Sequence, residues 1–181
     1  MSAVSTVRRM ATGVAMGLGM MGALAAPVGA QAPGSRQTRD YVQSAGESDT
    51  FEKMEAYSAL AESRDPQVTA FARAMIRDHG KTSDALRDAT AQAGLEPPPM
   101  AVGAAQSPFL ASLQSARGRD FDKIYWQQQV LAHRAALTVT QQYAARGDVA
   151  AVRQTAMAAV PVIARHLAMA ERMQAKAEGG S

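Results

Sequence analysis

The chain has no cysteine in its 181 residues, which excludes disulfides, thiolate metal sites and the cysteine anchor of a lipoprotein. Aromatic residues make up only 5% of the chain, and the lysines and arginines form no basic stripe. The sequence also lacks a glycine-rich phosphate loop, a nucleophile elbow and a His-Glu-x-x-His zinc helix. These absences argue against a nucleic-acid partner, and the pattern leans away from an enzyme.

Residues 1–30 have the features of a signal peptide. Arg8 and Arg9 form a basic start, Ala11–Ala26 is apolar, and small residues follow up to Ala30. We predict cleavage after Ala30, with Ala32 as the alternative, and therefore a periplasmic protein without an integral membrane span after cleavage. The whole chain has 19 basic and 16 acidic residues. Cleavage removes Arg8 and Arg9, which leaves 17 basic and 16 acidic residues, so the mature chain is nearly neutral.

The mature part predicts four long helices. Residues 31–37 are rich in Gly, Ser and Pro and form a flexible lead-in, and residues 38–178 form the folded domain. Tight turns separate helix 1 from helix 2 and helix 3 from helix 4, whereas a proline-rich crossover with a short helix spans residues 95–119. Two antiparallel hairpins joined by one long crossover predict an all-α, ferritin-like four-helix bundle. The expected long helices are Thr38–Ser63, Asp65–Gly94, Asp120–Gly147 and a helix capped by Asp148 that continues through Pro161.

The chain has three histidines, and each falls on the core-facing seam of a different long helix. These residues are His79, His133 and His166. Residue counts from the turns place Glu52 level with His79, with Glu55 about one helical turn away. The same counts separate His133 from His166 by about 7 Å along the helices.

Three interpretations of these groups remain open. The histidines with one or two carboxylates could bind one transition metal ion, of zinc, iron, manganese or copper. They could instead form a metal-free polar core in which Asp78 orients a histidine, or a core that responds to pH. A di-iron carboxylate centre needs Glu-x-x-His motifs, and this chain has Ile76, Val130 and Ile163 at the glutamate positions.

Several motifs, in order along the chain, resemble a bacterial family of exported proteins of unknown function. They are Phe51-Glu52, Asp65-Pro66-x-Val68, Phe71-Ala72-x-x-Met75-Ile76-x-Asp78-His79, Leu86, Phe121-Asp122-x-x-Tyr125, His133, Val160-Pro161 and His166-Leu167. Members are often labelled periplasmic or outer-membrane proteins.

The resemblance implies the ferritin-like fold and singles out the glutamate at 52 and the three histidines. The family often has apolar residues at the positions of Lys53 and Glu55, and it supplies no reaction.

We therefore expect an exported helical protein that binds one transition metal in a stress-related or accessory role. The predicted ligands are Glu52, His79, His133 and His166, with Glu55 and Asp78 as weaker candidates. The alternatives are a metal-dependent oxidoreductase and a purely structural, partner-binding module without metal. A second copy of the chain or another envelope protein is the expected kind of partner.

Overall fold

A computed structural model describes residues 34–179, and this part of the chain contains five helices and no strand. The predicted signal peptide and the first residues of the predicted lead-in lie outside the described residues. The all-α fold class is confirmed. The helices are α1 (Arg36–Glu62), α2 (Pro66–Gln92), α3 (Ser107–Ser115), α4 (Gly118–Arg146) and α5 (Ala150–Gly179).

Both ends of α2 are set by residues that can be recognised in the sequence. The Asp65 carboxylate accepts a hydrogen bond from the Gln67 N–H at 2.7 Å, and Pro66 occupies the first helical position. After the helix, Gly94 adopts a φ of 65°, which glycine reaches at little cost. Both predicted boundaries of this helix are therefore correct to within two residues.

The turn between α4 and α5 differs from the expectation that Asp148 caps the last helix. Its carboxylate instead accepts hydrogen bonds from the N–H and the hydroxyl of Ser35, at 3.2 and 3.0 Å, and from the hydroxyl of Thr38. Ser35 is also the N-cap of α1, which begins at Arg36, two residues before the predicted start. Asp148 therefore ties the start of α1 to the α4–α5 turn.

The four long helices pack in antiparallel pairs. Turns of three residues join α1 to α2 and α4 to α5, so the chain reverses direction at each one. Side-chain contacts show that α4 also runs antiparallel to α1, because Thr38 meets Tyr143 near one end and Glu55 meets Gln129 further along. Helices α2 and α5 are antiparallel in the same way.

The crossover between α2 and α4 follows α1 along its length. Its first residues pack near Gly34, and its prolines lie against Gly46, where an added Cβ would come within 2.8 Å of the crossover. Further on, the Gln114 amide donates to the Ser58 hydroxyl, and the main-chain carbonyl of Phe109 accepts from Gln128. Helix α3 therefore lies along the sides of α1 and α4.

A layer of polar side chains divides the core into two apolar clusters. The larger cluster lies towards the α1–α2 turn and includes Phe71, Met75 and Trp126. The smaller lies towards the α4–α5 turn and includes Leu86 and Tyr143. Buried acids, amides and imidazoles occupy the level between them, so the middle of the core is polar.

Helix α5 runs through Pro161 without a break, as expected from its apolar neighbours. Within residues 34–179, no helix has an apolar stretch long enough to cross a membrane.

Candidate metal centre

The three histidines of the chain meet in the polar layer. His79 comes from α2, His133 from α4 and His166 from α5, and all three are buried. The centroids of their rings lie 5.5 to 5.7 Å apart. One nitrogen from each ring lies within 4.8 Å of the other two, and small side-chain movements would bring a group of this kind around a single metal ion.

His79 is oriented by a carboxylate of α1. Its Nδ1 lies 2.7 Å from Oδ1 of Asp49, and because an ionised carboxylate only accepts, Nδ1 carries the proton and donates it. Asp49 is held in turn by the hydroxyls of Thr82 and Ser83, each at 3.0 Å. The other ring nitrogen, Nε2, has no hydrogen-bond partner.

The other two histidines are oriented in the same manner. Nδ1 of His133 donates to the main-chain carbonyl of Gln129 at 2.8 Å, and Nε2 of His166 donates to Oδ2 of Asp78 at 3.1 Å. Arg77 holds the Asp78 carboxylate at 2.9 Å. Nε2 of His133 and Nδ1 of His166 are consequently the unprotonated, unpartnered nitrogens. Metal-bound histidines are usually oriented by an acceptor of this kind on their second nitrogen.

Burial disfavours the charged form of two of these imidazoles, those of His133 and His166. Burial lowers the pKa of His133 to about 3, and the nearby His79 ring contributes to the shift. Burial is also the largest cause that lowers the pKa of His166, although Asp78 opposes it. Because neutral imidazole is the metal-binding form, the lone pairs of His133 and His166 remain available at neutral pH.

The predicted carboxylate ligands lie elsewhere in the layer. Oε1 of Glu52 is 3.3 Å from Nδ1 of His133, the nitrogen that is already protonated. Glu52 and Glu55 both accept from the amide of Gln129, at 2.8 and 2.7 Å. Among the described residues, the group of mutually close ligand atoms contains the three histidines and none of the glutamates or Asp78.

The predicted contact between Glu52 and His79 is replaced by the contact with Asp49. The reason is the position of the turn: Asp49 and His79 each lie 15 residues from Arg64, the middle residue of the α1–α2 turn. Counting from Asp65, at the edge of the turn, moves the position level with His79 from 49 to 51, one residue from Glu52. The sequence signal that would have found Asp49 is its place one helical turn before Glu52.

The separation expected between His133 and His166 also came from the edge of a turn. Counted from Asp148, the middle of the α4–α5 turn, the two residues differ by three positions, or about 4.5 Å, which imidazole side chains can span. Gln129 was missed because a neutral amide on a helix carries no signal of its own.

A cavity of about 780 Å³ reaches His79, one of the three histidines. Asp49, Asp78 and His79 line it, together with many alanines of the four long helices. Exposed residues such as Lys81 and Gln154 also line it, so the cavity opens to solvent. A cation entering by this route would approach two of the carboxylates that orient the histidines.

These features define an all-helical protein with a buried cluster of histidines oriented by acceptors. The chain belongs to the family described as Domain of unknown function (DUF4142), whose model matches residues 23–173. This confirms the predicted membership of a family of unknown function. No curated protein and no solved structure matches the chain.

Proposed function

We propose that this protein is an exported, ferritin-like four-helix bundle that binds one transition metal ion through its three histidines. The observation that carries the proposal is the cluster of His79, His133 and His166: one nitrogen from each ring lies within 4.8 Å of the other two, and each ring has one nitrogen without a hydrogen-bond partner. Three buried ring nitrogens without hydrogen-bond partners in one cluster are unfavourable, and a bound cation removes that cost.

The donor set restricts the metal. Three neutral imidazoles suit zinc, copper or iron better than magnesium or calcium, which prefer oxygen. A site with three protein nitrogens also leaves a coordination position for water or another small ligand. Asp49 and Asp78 supply negative charge behind two of the rings and so favour a dication over the empty site.

The ferritin-like assignment is supported by the helix connections. Two antiparallel hairpins joined by one crossover that follows the length of α1 are the arrangement expected for this class. Ile76, Val130 and Ile163 stand where a di-iron centre would need glutamates, so the proposal is a mononuclear site in a binding or accessory protein.

Metal analysis of protein purified without a histidine tag tests this function. We expect about one equivalent of metal per chain, and zinc at a free concentration of about 100 times Kd should stabilise the fold by about 2.7 kcal/mol. His79→Gln should lose the metal. Asp78→Asn should weaken binding about 10- to 100-fold, because Asp78 only orients His166.

Glu171→Gln is the matched control, since Glu171 forms an exposed ion pair with Arg134 and touches no histidine. A metal-free protein whose melting temperature is unchanged by zinc, iron or copper would refute the proposal and leave the structural module. Two redox-active irons per chain would refute it in favour of the oxidoreductase. For export, sequencing of the mature N-terminus from the periplasmic fraction should find Gln31.

A further inference from the structure

A second polar cluster lies between α1 and α4, beside the histidines. It consists of Glu52 and Glu55 on α1 and of Tyr125 and Gln129 on α4, and all four side chains are fully buried. The Nε2 amide group of Gln129 donates to Oε2 of both glutamates. Tyr125 lies one helical turn before Gln129 on the same face of α4.

Four oxygens of this cluster have no hydrogen-bond partner. They are Oε1 of Glu52, Oε1 of Glu55, Oε1 of Gln129 and the hydroxyl of Tyr125. When both acids are ionised, three of them can only accept, and in that state the cluster has more acceptors than donors; a protonated acid supplies a hydroxyl donor instead. A buried polar atom without a partner is costly, and three carbonyl or carboxylate oxygens beside an unpartnered hydroxyl call for a common explanation.

The cluster also lacks a counter-charge. Within residues 34–179, no lysine or arginine forms an ion pair with Glu52 or Glu55. Burial raises the pKa of Glu55 to about 8, and burial with the neighbouring glutamate raises that of Glu52. Burial and the two glutamates also raise the pKa of Tyr125. The cluster therefore holds buried acidic groups without a lysine or arginine partner.

We propose that Glu52, Glu55 and Gln129 form a second cation site, which takes a divalent ion that prefers oxygen ligands, such as manganese(II). Carboxylate and amide oxygens are the donors such ions prefer. In the structure the Gln129 amide presents nitrogen to both carboxylates. A half-turn about its last torsion presents Oε1 instead, which gives three oxygens from two facing helices. The ligand atoms of this site are distinct from the histidine nitrogens, which suit a different class of metal, although Oε1 of Glu52 lies 3.3 Å from Nδ1 of His133.

Manganese(II) binding, followed by the loss of the free-ion electron paramagnetic resonance signal, tests the second site. We expect wild-type protein to bind about one equivalent, and Glu55→Gln to bind at least about tenfold more weakly because a carboxylate is lost. His79→Gln is the matched control and should bind manganese(II) within about threefold of wild type. The far-ultraviolet circular dichroism spectrum of Glu55→Gln should match that of wild type, which shows that the variant is folded.

Electron spin-echo spectroscopy of the wild-type complex needs no variant at all. An oxygen site shows no coupling of manganese(II) to imidazole nitrogen. Strong imidazole coupling, equal affinity in Glu55→Gln, or no binding at millimolar manganese(II) would each overturn the second site. None of these results bears on zinc binding by the histidines, so the two proposals fail separately.

Discussion

The acid sensitivity of the metal-free protein should depend on His133. Its pKa is about 3 in the folded chain and about 6.5 in the unfolded chain. Between these values the unfolded chain binds a proton that the folded chain does not. The contribution of His133 to stability is therefore complete above about pH 6.5 and is lost as the pH falls towards 3.

The size of the effect follows from linkage. Lowering the pH from about 7.5 to about 5 should remove about 2 kcal/mol of unfolding free energy through His133 alone. Glu55 acts in the opposite direction, because its pKa is raised to about 8: its contribution is present at low pH and is lost as the pH rises towards 8. The pH profile of the wild type therefore combines opposing effects, and a comparison with a variant isolates one of them.

Urea unfolding of metal-free wild type and His133→Gln at the two pH values measures this difference. The variant replaces a neutral ring by a neutral amide, so the charge beside Glu52 is unchanged. On acidification the wild type should lose about 2 kcal/mol more than the variant, which is roughly 1 M in urea midpoint. Equal losses in the two proteins would refute the assignment of a buried, neutral His133, whatever the absolute stability of the variant.

Three further predictions concern the scaffold, and thermal or urea unfolding checks each of them. Gly46→Ala should destabilise the protein by about 1–3 kcal/mol, because the added Cβ would lie 2.8 Å from the crossover. Gly80→Ala should stabilise it by about 0.5–1 kcal/mol, because an added Cβ there has nothing within 4 Å. A less stable Gly80→Ala than Gly46→Ala would contradict the packing of the crossover against α1. Met75→Ala should cost about 2–5 kcal/mol at a fully buried position, and Met157→Ala, 58% exposed, should cost less than about 0.5 kcal/mol. Asp148→Ala should lower the free energy of unfolding by about 1 kcal/mol and expose the start of α1 to proteolysis. Unchanged cleavage at the start of α1 would argue against the hydrogen bonds from Asp148 to this segment.

The helices were predictable because residues close in sequence determine where they begin and end. Asp65-Pro66 and Gly94 bound α2 through capping and a left-handed glycine, neither of which depends on the rest of the fold. Asp148 was the exception, since its carboxylate bonds to the start of α1, which lies more than a hundred residues away in sequence. When a side chain has two possible hydrogen-bond partners, tertiary contacts determine which one it binds, and a local sequence pattern does not contain those contacts.

The inward direction of the histidines followed from the helical period, but their partners did not. Periodicity fixes which face of a helix is buried, and this places His79, His133 and His166 in the core. Depth along the axis depends on where a turn is centred, and an error of two or three residues replaces Asp49 by Glu52. Each residue advances the helix by about 1.5 Å, so a small counting error exceeds the length of a hydrogen bond.

The polar layer is difficult to explain as a device for stability alone. Well-packed apolar side chains usually stabilise a core as well as buried polar groups do, without the cost of unpaired atoms. Here the three free imidazole nitrogens and the four free oxygens lie side by side between two ordinary apolar clusters. Departures from local consistency of this kind are expected where a site has a function. The two sets of unpaired atoms also differ in chemistry, nitrogen in one and oxygen in the other, so a single ion would satisfy only one of them. Two cations of different preference, or one cation beside a protonated carboxylate pair, are the states in which the whole layer is satisfied.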